Sequence, residues 1–262
     1  MDILDIKIGT HITKSKKFYS SLQKFYDIVE NKFKPTQLFT GSTRSWRRPE
    51  LDKIDIDKTK NYVRDNKLRV YIHSIYFINL SRCKEEFMDK AFACLIYELQ
   101  IGKMLGFKGV VVHCGKALKL SKEEALDNMY NNIMEIYNTR YISKSCPLLI
   151  ETSAGQGTEV CWEIDCFKKF YNRFTNEEKK YIKICIDTCH VFVAGHNPYE
   201  YLQSWYISYP KSIVLVHYND SKVERGSRKD RHAYPGKGFI GEKNMKQIAD
   251  WCIQKEIPMV IE

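Results

Sequence analysis

The stretch Leu215-Val216-His217-Tyr218-Asn219-Asp220-Ser221-Lys222, followed by Gly226-Ser227-Arg228-Lys229-Asp230-Arg231-His232, sets the pattern for the chain. An apolar run stops at a histidine, and a polar, glycine-containing loop follows. The loop offers Asp230 and His232 at i, i+2, a spacing that points both side chains the same way in extended backbone. Imidazole and carboxylate converging on one spot are ligands for zinc or a similar divalent cation. The lysines and arginines around them suit a substrate that carries phosphate. Alone, the loop reads equally well as a solvated turn with two histidines. Its weight comes from the rest of the chain, where the same pattern recurs.

Short apolar, β-branched runs occupy residues 6–11, 37–40, 68–73, 109–113, 147–151, 182–187, 213–217 and 258–262. Continuous apolar runs of this length are typical of strands in a parallel sheet buried on both faces. Helical patterns lie between them. Phe87, Ala91, Leu95 and Leu99 share one face of a helix across residues 86–99. Ser121 and Glu124 have the spacing of a capping box, and a further short helix is expected over 244–254. Eight strand–helix units without a linker or repeat predict an α/β fold, a single (β/α)₈ TIM barrel over residues 1–262. An open doubly wound sheet is the alternative, but no dinucleotide or phosphate-loop signature supports it. The eighth run ends at Glu262, so the helix that would follow it is expected to be missing.

With 262 residues, 44% of them hydrophobic, the chain has material for a sizeable core. No stretch of about 18 apolar residues offers a membrane-spanning helix, and residues 1–5 lack the features of a signal peptide. The nine cysteines are scattered without zinc-finger spacing. Reduced, mostly buried thiols in an intracellular protein fit this best, in cytoplasm, nucleus or, for a viral source, a virion. The net charge of +10 favours polyanionic partners. A lysine-rich genome would produce the same excess, so charge by itself decides little.

Seven of the eight runs end in an ionisable, metal-capable residue: His11, His73, His113, Glu151, Asp187, His217 and Glu262. The C-terminal ends of barrel strands open onto one face, where such enzymes place their active sites. Packing alone does not explain the set, because an unpartnered buried polar group costs about 2–7 kcal/mol. His190, three residues after Asp187, and the Asp230/His232 pair extend it. Without His11, nine ligand-type side chains converge. A single zinc takes about four, so more than one metal is expected, with a carboxylate available to bridge.

Three longer motifs resemble those of endonuclease IV, the zinc-dependent apurinic/apyrimidinic (AP) endonuclease family of base-excision repair. They are Leu148-Leu149-Ile150-Glu151-Thr152-Ser153-Ala154-Gly155-Gln156-Gly157, Cys185-Ile186-Asp187-Thr188-Cys189-His190-Val191-Phe192-Val193-Ala194-Gly195, and the opening stretch from His217 to His232. The resemblance runs from Gly9 to Glu262. It implies three Zn²⁺ ions per chain, with manganese as a partial substitute. His73, His113 and Glu151 would hold the first ion. Glu151 as bridge, with Asp187, His217 and Glu262, would hold the second. His190, Asp230 and His232 would hold the third. Glu151 is thereby the expected catalytic residue. The implied reaction is hydrolysis of the DNA phosphodiester 5′ to an abasic site, leaving 3′-hydroxyl and 5′-deoxyribose phosphate ends, together with cleaning of blocked 3′ ends. The implied partner is damaged double-stranded DNA, bound by a monomer away from any membrane.

The family also inserts side chains into DNA at the lesion. Phe39-Thr40-Gly41-Ser42-Thr43-Arg44-Ser45-Trp46 resembles its second-strand loop, making Arg44 the residue expected to enter the base stack. Tyr76 and Phe77 occupy the position of its wedge residues, which stabilise a kinked duplex and an extruded nucleotide. A simple covering of the barrel rim is the alternative reading. Arg47 and Arg48 read as phosphate contacts. Tyr218 and the His196-Asn197 pair depart from the family's usual residues without removing a ligand, and Cys114 and Cys189, beside ligands, read as packing. Two other functions stay in view: a sugar isomerase or epimerase on the same barrel, which needs fewer metals and no wedge, and a non-catalytic DNA-binding barrel.

Overall fold

The computed structural model describes residues 8–30 and 34–262. Ile6 and Lys7, at the start of the first apolar run, lie outside the described residues. Seven strands come first: β1 (Ile8–Ile12), β2 (Thr36–Leu38), β3 (Val70–His73), β4 (Val110–His113), β5 (Leu148–Glu151), β6 (Ile182–Asp187) and β7 (Ile213–His217). After a small antiparallel ribbon, β8 (Asp220–Ser221) and β9 (His232–Ala233), the last barrel strand is β10 (Met259–Ile261). Each barrel strand pairs in parallel with its predecessor, and β10 closes the ring against β1. All eight expected strands form.

The helices run outside this ring. They are α1 (Phe18–Val29), α2 (Lys53–Asp65), α3 (Lys84–Glu86), α4 (Phe92–Leu105), α5 (Lys122–Asn138), α6 (Ile164–Tyr171), α7 (Thr188–Val193), α8 (Pro198–Ser208) and α9 (Glu242–Gln254). The expected capping box is present: Ser121 accepts from the Glu124 N–H while the Glu124 carboxylate reaches back. The segment read as one regular helix over 86–99 contains a π-helical turn, Phe87–Ala91, between α3 and α4. That turn inserts extra backbone without exposing the face, since Phe87, Ala91, Leu95 and Leu99 all stay buried. Among the described residues no helix is long and apolar enough to cross a membrane.

Strand alternation explains where the chemistry sits. Tyr71, Val111, Leu149, Cys185, Leu215 and Val260 form their own buried cluster, apart from the larger one that joins strands to helices. One sits on each of β3 to β7 and β10, so this cluster fills the inside of the barrel. Side chains two residues further along a strand point to the same side. Those residues are His73, His113, Glu151, Asp187, His217 and Glu262. The ligand row is the next inward layer above the apolar one, and ring closure aims it at a common centre. Each apolar side chain beneath contributes about 1.5–3 kcal/mol by burial and forms a dry floor.

Candidate metal centre

Glu151, fully buried at the end of β5, is the hub. Its Oε2 lies 3.2 Å from His73 Nε2 and 3.1 Å from His113 Nε2. Its Oε1 lies 2.9 Å from His217 Nδ1 and 3.4 Å from His190 Nδ1. Glu262 Oε2 is 3.3 Å from His217 Nδ1. On the open side, Asp230 spans two rings, with His190 Nε2 at 3.2 Å and His232 Nε2 at 3.0 Å. Asp187 Oδ2 is 3.6 Å from His232 Nε2 and 3.8 Å from His217 Nδ1. All nine expected ligand residues converge.

Their grouping is less tidy than expected. Ligand atoms of His73, Glu151, His217 and Glu262 lie within 4.8 Å of one another, as do those of Asp187, His190 and His232. His73 thus sits as close to the second expected set as to the first, and Asp187 as close to the third as to the second. Cys189 also comes within 4.8 Å of Asp230 and His232 ligand atoms. Burial pushes its thiol up to about 12, and it donates toward the Arg231 carbonyl at 3.8 Å. It remains a neutral packing group.

The ring nitrogens facing away from the centre show what the centre is built for. His73 Nδ1 donates to the Ser74 carbonyl at 2.7 Å, which leaves Nε2 free to face inward. His190 Nδ1 donates to the Thr152 carbonyl at 2.9 Å. His217 Nε2 sits 2.9 Å from Gln37 Oε1, turning Nδ1 toward Glu151. Fixing a ring by its outer nitrogen is the usual way a protein prepares an imidazole as a metal ligand. His232 Nε2 is buried without a satisfied hydrogen bond, although it faces the carboxylates. A buried ring nitrogen without an aligned partner among carboxylates fits a cation site, and the donor set fits divalent zinc.

Protonation tells the same story. Burial opposes a charged ring at His73 and at His232, but the surrounding carboxylates raise both to about 9. The same contest raises His190 and His217. Burial likewise works against an ionised Glu151, yet His113 and His217 hold it well below the ordinary carboxylate range. With protons as the only counter-charges, His73, His190, His217 and His232 balance the carboxylates by holding their protons more tightly. Divalent cations would neutralise the carboxylates and leave the imidazoles neutral, as ligands must be.

Several supporting residues escaped sequence reading. Gln37, on β2, donates to Glu262 Oε1 at 2.6 Å while accepting from His217, and so fixes the relation between two ligands. Asn219 donates to Asp187 Oδ2 at 2.7 Å and accepts from the Glu262 N–H at 3.0 Å. Gln156 accepts from the Asp230 N–H at 3.2 Å. Its turn requires Gly155, whose φ is +75° and where an added Cβ would sit 3.0 Å from Trp162. Asp220 is a structural residue: its carboxylate accepts from the N–H groups of Ser221, Gly236, Gly238, Ile240 and Gly241. Inward-facing polar residues and motif glutamines were the available signals. The atypical residues are structural too, since Tyr218 donates to the Met245 carbonyl at 2.7 Å and Asn197 caps α8.

The ligands open into a hollow of about 440 Å³ bordered by Tyr76, His113, His190, Asp230, His232 and Glu262. Tyr76 stands on its border, 55% exposed, and the next residue, Phe77, is 49% exposed. The Tyr76 ring lies 5.5 Å from His73 and 5.6 Å from His113, and Phe77 lies 5.7 Å from Trp46. A second groove, of about 1080 Å³, is lined by His11 and Phe39 with Lys14, Lys16, Arg44 and Arg47. His11 Nδ1 is 3.7 Å from Glu262 Oε1, so the basic groove borders the ligand pocket. Arg48 does not reach outward as its phosphate reading required. Its side chain is 7% exposed and folds back under its own loop.

Residues 25–250 match the family described as xylose isomerase-like TIM barrel. A protein of Symbiobacterium thermophilum named "Probable endonuclease 4" is 30% identical over 98% of this chain and 92% of its own length. The chain belongs to the endonuclease IV family. A second member so named, from a Sulfurihydrogenibium species, is 28% identical over 98% of this chain and 92% of its own. The crystal structure of endonuclease IV from Thermus thermophilus shares the fold, with a TM-score of 0.80 at 24% identity, over 98% of this chain and 91% of that one. For this member of the endonuclease IV family, the strand-end pocket and basic groove are the features any function must use.

Proposed function

We propose that residues 1–262 form one AP endonuclease domain that hydrolyses the DNA phosphodiester 5′ to an abasic site and also cleans blocked 3′ ends. The observation that carries this reading is the nine-residue donor set around Glu151, opening beside a basic groove. His73, His113, Glu151, Asp187, His190, His217, Asp230, His232 and Glu262 would hold three zinc ions, with Glu151 shared between two. When bound, such ions activate water near neutral pH and offset charge that develops on phosphate oxygens in the displacement.

The chain's own residues would do the rest. Gln37 and Asn219 hold Glu262 and Asp187 in place, so the charge distribution is set before substrate arrives. Lys14, Lys16 and Arg47 would neutralise backbone phosphates along the groove. Arg44, Tyr76 and Phe77, all exposed at the rim, would enter the duplex at the lesion, where a missing base lowers the resistance to extrusion. Membership of this DNA-repair family supports an intracellular, monomeric enzyme. A sugar isomerase or epimerase shares the barrel but needs neither the full donor set nor a basic groove with exposed aromatic residues.

A duplex with one abasic site tests the reaction. Cleavage should yield a 3′-hydroxyl that a polymerase extends and a 5′-deoxyribose phosphate, and borohydride should trap no protein–DNA adduct. A lyase would require an amine nucleophile forming a Schiff base, whereas the lysine that borders the hollow, Lys116, is paired with Glu159 at 3.4 Å. A trapped adduct together with chelator-resistant cutting would overturn the hydrolytic reading.

A further inference from the structure

Residues 41–49 have no regular secondary structure, yet one guanidinium organises them. Arg48 Nη2 donates to the Ser42 carbonyl at 3.0 Å and to the Ser45 carbonyl. Its Nε donates to the Trp46 carbonyl at 3.5 Å, and its Nη1 reaches Thr40 Oγ1 at 3.3 Å and Glu98 Oε1 at 3.5 Å. Arginine has five N–H donors in a rigid fork, and here each has an acceptor. Three are on the loop and two on the barrel. A lysine, with three donors on a flexible stem, could not reproduce the arrangement.

Glu98 supplies the other half. It sits on α4, wholly buried, and its Oε1 also accepts from Thr40 Oγ1 at 3.2 Å. The buried Glu98 carboxyl and the nearly buried guanidinium each depend on the other, because removing one leaves buried polar atoms of the other without a partner. The far end of the loop is tied down as well, by Tyr97 Oη donating to the Pro49 carbonyl at 2.6 Å. Arg44 and Arg47, on the same loop, are exposed and line the basic groove.

We propose that Arg48 and Glu98 are positioning residues for DNA recognition: they clamp the loop over residues 41–49 in the shape that carries Arg44 and Arg47 to the substrate groove. This rests on the DNA-repair function proposed above. A loop ordered only on contact with DNA would bind more weakly by the cost of that ordering. The clamp imposes the order beforehand. It acts through the loop and touches no reacting atom.

Native trypsin digestion of the full chain reads the clamp without reference to activity, since Arg44 and Arg47 are exposed cleavage sites. Glu98→Met and Arg48→Met should each speed cutting after these residues by about tenfold or more, as local opening becomes easier. Glu98→Gln, whose amide oxygen still accepts from Arg48 and Thr40, should stay within about threefold of wild type. In the same variants, KM for a duplex carrying a tetrahydrofuran abasic analogue should rise about tenfold in Glu98→Met with kcat and bound metal unchanged. A variant that had merely misfolded would lose kcat and metal together. Unchanged tryptic rates in Glu98→Met and Arg48→Met would overturn the clamp. Faster cutting with an unaltered KM would overturn its part in recognition. If the wild type does not distinguish the abasic duplex from an intact one, the DNA-repair reading falls and the recognition role with it, while the tryptic rates still decide the clamp.

Discussion

The floor of the barrel mouth and its rim solve different problems with different kinds of residue. On the floor, His73, Glu151, Asp187, His190 and His217 are buried, and every ring whose outer nitrogen has a partner is turned by it. Little freedom remains there, so binding a cation requires little rearrangement. On the rim, Arg44, Tyr76 and Phe77 are exposed, and the loop that carries Arg44 is held from within by Arg48. Removal of a floor residue should therefore disturb metal and chemistry together, whereas removal of a rim residue should disturb recognition alone.

The largest expected effect tests the floor. Glu151→Gln keeps the shape of the hub but removes the charge that faces four histidines, and incision of an abasic duplex should fall on the order of 10³-fold. Steady-state rates beside elemental analysis would check this, and wild-type rates would remove Glu151 from the site. A smaller loss is expected one layer out. Gln37→Leu should weaken metal retention about 10–100-fold, as is typical when a partner that orients a ligand is lost. Competition with a chelator of known affinity would measure it.

The rim should respond differently. Arg44→Ala should lower affinity for abasic duplex about tenfold while leaving bound metal unchanged, as read by fluorescence anisotropy and elemental analysis. If Arg44→Ala lost metal but kept DNA affinity, the division between floor and rim would fail. The smallest effect concerns pH. Burial raises Glu98 to about 8 from 4.5, ahead of the opposing pull of Arg48. A carboxyl whose pKa is raised on folding contributes stability below its unfolded pKa, and that contribution is lost as pH rises through the folded value. Thermal unfolding of wild type should therefore shift downward by a few degrees between about pH 5 and 9 relative to Glu98→Gln. Parallel pH profiles would contradict the assignment.

What could be read from sequence follows the same division. The barrel was legible because eight apolar runs alternate with helical segments, and two-residue alternation placed six of the metal-capable run ends over one apolar layer. The candidate donor set was legible because few side chains bind zinc, so residue type alone narrows the choice. The assignment of ligands to separate ions was not legible, because His73 and Asp187 each face more than one neighbour. Gln37 was hidden because a glutamine at a strand centre carries no chemical signature until its partners are known. Arg48 misled for a related reason. Three arginines within five residues look alike in sequence, and the buried carboxylate of Glu98, 50 residues away, decides which one turns inward.

The central claim is that the donor set around Glu151 binds metal ions that this chain needs to cut damaged DNA. Elemental analysis of purified protein, paired with cleavage of an abasic duplex before and after chelation, tests it most directly. Three zinc ions per chain, loss of all cleavage on their removal and recovery on their return are expected. One metal or none per chain, with full cleavage that survives chelation, would contradict the account.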